Sequence, residues 1–389
     1  MSADAALKVQ ELCDIIAEYI DSKWDLRACT LVSPALTSSA QRQLFHDIVF
    51  NRGTLHFDDI SILERYDEAK ACNRLCAVLE TSPHILPYIR RVRASLEPSV
   101  LEPLAKFQLP NLHDVVLHRR RGGPPVEGAI TLAAQLIGSP TVTRVGLISP
   151  IFSNLHQMAR LFARHTSALK SVFLYYVTFK ETIVESEVDP PTPLPRLRVK
   201  ALRWGWRYNV ESEWILNPLF PIDFSTLDRL DLDNGVQFTP IMQKLVNQTR
   251  HSLTRLTINA QHVASPNYAP QTQPALLASL PALTDLTLYT LSYEPADVAT
   301  ILAALPPNSA LRKLTLQIKK VRQLKMEQMC TLGLACAQSL PQECAVTVHI
   351  QQFTTSPDGV NQVGLTREAF AESEASGKLR IVGPRAVNF

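Results

Sequence analysis

One short pattern, an apolar residue, two variable ones, an apolar, one variable and an apolar, recurs along the middle of the chain, and no other feature restricts the fold as much. It is legible in LPNLHDVVL (109–117), ALKSVFL (168–174), STLDRLDL (225–232), HSLTRLTI (251–258), LPALTDLTL (280–288) and SALRKLTL (309–316). The anchors align as Leu112/Val115/Leu117, Val142/Val145/Leu147, Leu169/Val172/Leu174, Val199/Leu202/Trp204, Leu227/Leu230/Leu232, Leu253/Leu256/Ile258, Leu283/Leu286/Leu288 and Leu311/Leu314/Leu316. First anchors stand 26 to 30 residues apart. An earlier member is expected at Ile89/Val92/Ala94 and a later one at Val346, Val348 and Ile350. A pattern repeating at this period implies stacked supersecondary units.

The end of each copy alternates in-out-in, as a short strand does, whereas ITLAAQLI (130–137), HQMARLFARH (156–165), PIMQKLVNQ (240–248) and ADVATILAAL (296–305) carry a helical period. Each unit is therefore one strand and one helix, and neither buries its apolar face alone. Stacking parallel strands on one side and helices on the other gives a shared core. Proline in LPNL, LPRL and LPAL stops each helix ahead of the next strand. The expected class is α/β: a helical module over 1–50, a linking helix over 51–85, a solenoid with a curved parallel sheet and outer helices over 86–352, and a capping segment over 353–389. Residues 86–352 resemble leucine-rich repeats of the long, helix-bearing kind, although the asparagine common after the strand in that family is mostly missing.

Composition narrows the function. With 46% hydrophobic and 19% charged residues, the chain can fill a packed interior. A net charge of +3 with scattered bases implies no nucleic-acid partner. No run of about 18 apolar residues and no basic leader followed by an apolar stretch is present, so neither membrane insertion nor secretion is expected. The seven cysteines sit mostly in apolar helical patterns and read as reduced and structural, which suits the cytoplasm or nucleus. Nucleotide-binding, hydrolase and zinc motifs are missing and the ten histidines are dispersed, so no catalysis, metal or cofactor is expected.

Residues 9–50 lie outside the repeat. Leu12, Ile15, Ile16, Tyr19 and Ile20 fall at helical spacing; Leu26, Cys29, Leu31, Val32, Ala35 and Leu36 follow a break at Asp21-Ser22-Lys23; Leu44, Phe45, Ile48, Val49 and Phe50 close the segment. Three short helices are predicted. The stretch ELCDIIAEYIDSKWDLRACTLVSPALTSSAQRQLFHDIVF resembles an F-box of the fungal F-box-like families: an acidic residue, Leu and paired aliphatics, then Leu-x-x-Cys-x-Leu-Val, then a Ser/Arg-rich stretch ending in Leu-Phe. Lys8-Val9 replaces the usual Leu-Pro, Ser33 a cysteine, and Leu36 a tryptophan.

That resemblance implies a non-catalytic receptor subunit of an SCF-type (Skp–cullin–F-box) ubiquitin ligase. Leu12, Ile15, Ile16, Ile20, Leu26, Leu31, Val32 and Leu36 would face the Skp-family adaptor, and through it the cullin, while the repeats bind a target protein. The alternative is a repeat scaffold whose first helices serve only as a cap. For the target, the variable strand positions matter: Phe173, Tyr175, Arg203, Arg229, Asp231 and Arg255 are expected on the concave face, with Lys313, Thr315 and Gln317 further along it. The tryptophan-rich WGWRYNVESEW (204–214), basic HRRRGGPP (118–125) and acidic, proline-rich KETIVESEVDPPTPLP (180–195) are candidate rims or loops.

Overall fold

The computed structural model describes residues 3–32, 34–50, 67–119, 124–180, 196–205, 213–232, 240–259, 277, 279–290, 295–303, 305–306, 309–318, 326–350, 370 and 379–382. It comprises two compact units, Met1–Leu197 and Arg198–Phe389. In each unit the strands of the main sheet follow chain order, five in the first unit and seven in the second, and every registered pair is parallel. The chain is α/β, of a solenoid-like class.

The first unit opens with α1 (Ala3–Glu18), α2 (Lys23–Val32) and α3 (Pro34–His46). The break before α2 is a cap: the Ser22 hydroxyl accepts from the Asp25 amide at 3.3 Å. The third helix ends sooner than its apolar residues suggest. Asp47–Val49 forms a strand, β1, because Ile48 and Phe50 are buried in the sheet rather than on a helix face. Ile48 lies in register with Val92.

Then come α4 (Glu68–Thr81), β2 (Arg91–Ser95), α5 (Pro98–Ala105), β3 (Asp114–His118), α6 (Glu127–Ile137), β4 (Arg144–Ile148), β5 (Ile151–Phe152), α7 (Leu155–Leu161), β6 (Ser171–Tyr175) and β7 (Thr178–Phe179). The second and third anchors fall in register, as in Val92↔Val115↔Val145↔Val172 and Ala94↔Leu117↔Leu147↔Leu174. Helices α4 to α7 pack in succession. Their inner residues Cys72, Val100, Leu101, Ile130, Ala133 and Met158 are buried, as are the anchors, so the core is a slab between strands and helices. The described end of the 51–85 segment carries helix α4, which begins the outer row, with the Asp67 carboxylate accepting from the Lys70 amide at its start.

The absent asparagine is replaced by backbone geometry. Ser149 and Tyr176, each the first residue past a strand, both take φ of 54°. This left-handed step turns the chain out of the main sheet. It continues into β5 and β7, which pair with each other and stack Phe152 on Phe179 at 5.9 Å.

The second unit carries β9 (Ala201–Gly205), β11 (Arg229–Leu232), α8 (Pro240–Thr249), β12 (Arg255–Asn259), β13 (Asp285–Thr290), α9 (Pro295–Ala303), β14 (Lys313–Ile318), α10 (Met326–Ser339), β15 (Ala345–Ile350) and β16 (Leu379–Val382). The two-residue strands β8 (Leu197–Arg198) and β10 (Ile222–Asp223) make a separate pair. Register again follows the anchors, Leu202↔Leu230↔Leu256↔Leu286↔Leu314↔Val346. Between β9 and β11 the described chain forms short 3-10 turns, Glu213–Leu216 and Phe224–Thr226, in place of a helix. Large rings fill the space instead: Trp204 meets Trp214 edge-on at 6.0 Å, Trp214 lies 5.5 Å from Phe220, and Phe220 stacks on Phe224. Trp204 and Trp214 are core residues, while Trp206 lies outside the described residues.

Candidate functional site

Two surfaces stand out, one on the leading helices and one on the strands. Helix α1 has two apolar stripes, and only one is used internally. Ala17 and Ile20 pack with Leu26, Cys29, Ala40 and Leu44 into the small core of the module. The alanines at 17 and 40 let helix backbones approach closely.

Polar contacts fix the same helix pair. The Ser39 hydroxyl donates to Asp14 Oδ1 at 2.6 Å, Gln10 Nε2 donates to Asp14 Oδ1 at 3.1 Å, and Arg42 Nη1 bonds Asp14 Oδ2 at 2.8 Å. The Ser39 contact, helped by Gln10 and Arg42, holds the Asp14 carboxyl below its ordinary value against the opposing cost of burial. Thr37 of α3 donates to the Thr30 carbonyl at 2.9 Å, tying in α2.

The other stripe of α1 carries Leu12, Ile15, Ile16 and Tyr19, spaced three or four residues apart and exposed by 57%, 51%, 44% and 84%. On α2, Trp24 and Leu31 are exposed by 73% and 87%, one heptad apart and so on one face. Arg27 lies over the Trp24 ring at 5.1 Å. Of the ten large apolar side chains that stand exposed among the described residues, these are six. Such a concentration on two successive helices, each packed on α3, is the kind of exposed apolar surface that accompanies protein interaction sites. Helices α1 and α2 pack chiefly on α3, and α3 on the 3-10 turn Pro83–Tyr88, where Arg42 stands over Tyr88.

Of the eight residues expected to face an adaptor, Leu12, Ile15, Ile16 and Leu31 are on this surface. Ile20 and Leu36 are half-buried, and Leu26 is buried at 4%, holding the module together rather than facing outward. The Val32 side chain is outside the described residues. Tyr19 and Trp24 belong to the surface although the sequence did not single them out for it. Their signal was spacing: Leu12 to Tyr19 and Trp24 to Leu31 are each seven residues.

The outward strand positions differ between the units. In the first, the leading residues of β1 to β4 run Asp47, Arg91, Asp114 and Arg144, each in register with the next. Arg91 bonds Asp114 at 2.9 Å and Asp47 at 3.3 Å, and Arg144 reaches Asp114 at 3.9 Å. The charges pair among themselves. Phe173 is half-buried: its ring occupies the space where a Cβ on Gly146 of the next strand would stand. Tyr175 is only 9% exposed and meets Phe173 edge-on at 5.9 Å. Phe173 and Tyr175 serve packing within the first unit more than contact.

In the second unit Arg203, Arg229 and Arg255 point outward and are exposed, while Asp231 is half-buried. Asp231 accepts from Arg229 Nε at 2.9 Å and from the Thr257 hydroxyl at 2.7 Å, and so is already engaged. The next strands continue the face. Threonines 257, 287, 315 and 347 form one in-register row across β12 to β15.

Among the described residues no three His, Cys, Asp or Glu side chains converge as metal ligands, and no helix is long and apolar enough to cross a membrane. All seven cysteines are free thiols. Cys72 and Cys76 sit one turn apart, 4.0 Å between sulfurs, and burial pushes both thiols upward. The basic loop beyond Arg119 and the acidic one beyond Lys180 are outside the described residues. No known protein family has a model that matches this chain, and a search of curated proteins likewise finds no match.

Proposed function

We propose that this chain is the substrate-receptor subunit of an SCF-type ubiquitin ligase, an F-box-like module joined to leucine-rich repeats. The exposed apolar surface of α1 and α2, left open while the same helices build their own core, carries this reading. A bare cap would turn its apolar residues inward. Covering each such side chain with a partner removes it from water, a gain on the order of 1.5–3 kcal/mol per large residue when burial is complete. The partner would be a Skp-family adaptor, linked through it to a cullin. The receptor does no chemistry itself; it raises the effective concentration of a target lysine near a charged conjugating enzyme. Free buried thiols suit a cytoplasmic or nuclear setting.

A second reading has its own observation. Helix α3 runs directly into β1 at the sheet edge, and the His46 carbonyl accepts from the Arg90 amide at 3.1 Å, so the module also caps the first unit. A repeat scaffold would need only this. Co-expression with a fungal Skp-family adaptor separates the two. The receptor reading expects a stoichiometric complex that Ile16→Asp and Leu31→Asp each weaken about 30-fold or more, the usual scale for a central apolar contact. Well-folded protein with no adaptor bound would leave the scaffold.

A further inference from the structure

We propose that the outward strand face of the second unit binds an extended, acidic protein segment, its carboxylates seated on Arg255, Lys313 and Arg380. This deepens the receptor reading and rests on it only in calling the bound segment a target.

Side chains alternate on these strands, so Leu256, Leu286, Leu314 and Val346 point into the core and their neighbours point out. In register, the first outward row reads Arg229, Arg255, Asp285, Lys313 and Ala345. The second reads Arg203, Asp231, Thr257, Thr287, Thr315, Thr347 and Arg380. Arg255, Lys313 and Arg380 are exposed, and none forms an ion pair within the described residues. The two carboxylates of the face are occupied: Asp231 by Arg229 and Thr257, Asp285 by the Thr284 hydroxyl at 2.9 Å. Among the described residues these three cations therefore touch no carboxylate, although Asp285 stands in register between Arg255 and Lys313, in contrast to the paired ladder of the first unit. A group on the strand between those of Lys313 and Arg380 registers the field of these two. The imidazole of His349 on β15 is lowered by burial and then by Arg380 and Lys313.

The spacing selects the ligand. Parallel strands lie about 4.8 Å apart, so Arg255 and Lys313, two strands apart, are separated by about 10 Å across the sheet. Arg380 lies two strands beyond Lys313. A peptide in the polyproline II conformation, with three residues per turn and a rise of about 3.1 Å per residue, returns every third side chain to one face after about 9 Å, so crossing the strands it would place a carboxylate near each cation at every third position. Asp285 lies between Arg255 and Lys313, so the segment carries an uncharged residue over it, and the adjoining row of Thr257, Thr287 and Thr347 is half-buried and uncharged. A nucleic-acid strand fits less well, because its unbroken phosphate track would meet Asp231 and Asp285.

The test uses full-length protein and a fluorescein-labelled peptide of about a dozen residues with Glu at every third position among Ser, Thr and Gly. A Gln counterpart and an oligothymidylate of similar length are compared by anisotropy at about 50 mM salt, where surface charges are weakly screened. The Glu peptide is expected to bind about tenfold or more tighter than the Gln peptide, the difference vanishing in Arg255→Gln/Lys313→Gln with an unchanged melting temperature. Equal binding of the two peptides, or full binding by the folded double variant, overturns the proposal; so does tighter binding of the oligothymidylate, which assigns the face to nucleic acid. Adaptor co-purification on the same double variant keeps the two ideas apart. An intact adaptor complex without Glu-peptide binding overturns only the acidic face, and Glu-peptide binding without an adaptor complex upholds it on a scaffold.

Discussion

At the residue scale the helical module depends on one carboxylate. Asp14 joins α1 to α3 through Ser39 and Arg42, with Gln10 of α1 supporting it, and its folded value lies below the ordinary 3.8. A depressed carboxylate stabilises the fold above its unfolded value, and that contribution is lost as pH falls through the folded one. Asp14→Asn should therefore lower the melting temperature at neutral pH, and the gap between wild type and variant should close as pH falls below the ordinary carboxylate range. A gap constant with pH would mean that the contact acts by shape alone. Leu26 shows the limit of sequence at this scale. Its helical spacing announced an apolar face, but only the packing of α2 on α3 decided that Leu26 is core and Leu31, five residues on, is surface. Periodicity reports that a stripe is apolar, not what covers it.

At the element scale the strands were legible because the repeat states its register: within each unit the second anchors of successive copies are registered neighbours in the sheet. Elements lying off the pattern were hidden. Strand β1 carries a single core pair, Ile48 with Val92, inside what reads as helix, and the 3-10 turns after β9 rest on ring volume rather than on period. The turn after each strand was hidden too, since no glycine or asparagine marks Ser149 or Tyr176. A left-handed conformation costs a side-chain-bearing residue about 1–2 kcal/mol, partly offset by the greater freedom glycine loses on folding. Ser149→Gly should be neutral to about 0.5 kcal/mol stabilising, and Ser149→Val should cost at least about 1 kcal/mol, read from denaturation midpoints. A valine tolerated as well as glycine would show that the turn opens at no cost.

At the scale of the whole molecule, strands that follow chain order touch only their sequence neighbours, and the consequence is local cooperativity. Leu286 is 1% exposed, between Leu256 and Leu314 in register. Leu286→Ala should cost about 2–5 kcal/mol, as for a buried leucine whose site cannot fully collapse. In a globular domain with one shared core that loss would speed hydrogen exchange everywhere at once. Here it should speed exchange in β12, β13 and β14 and leave α1 to α3 and β2 to β4 at wild-type protection, because stability sums over intrinsic and nearest-neighbour terms. The adaptor binding proposed for α1 and α2 should survive in the same variant. Uniform loss of protection from α1 to β15 would instead reveal one cooperative body, in which damage to the strand face also unfolds α1 to α3.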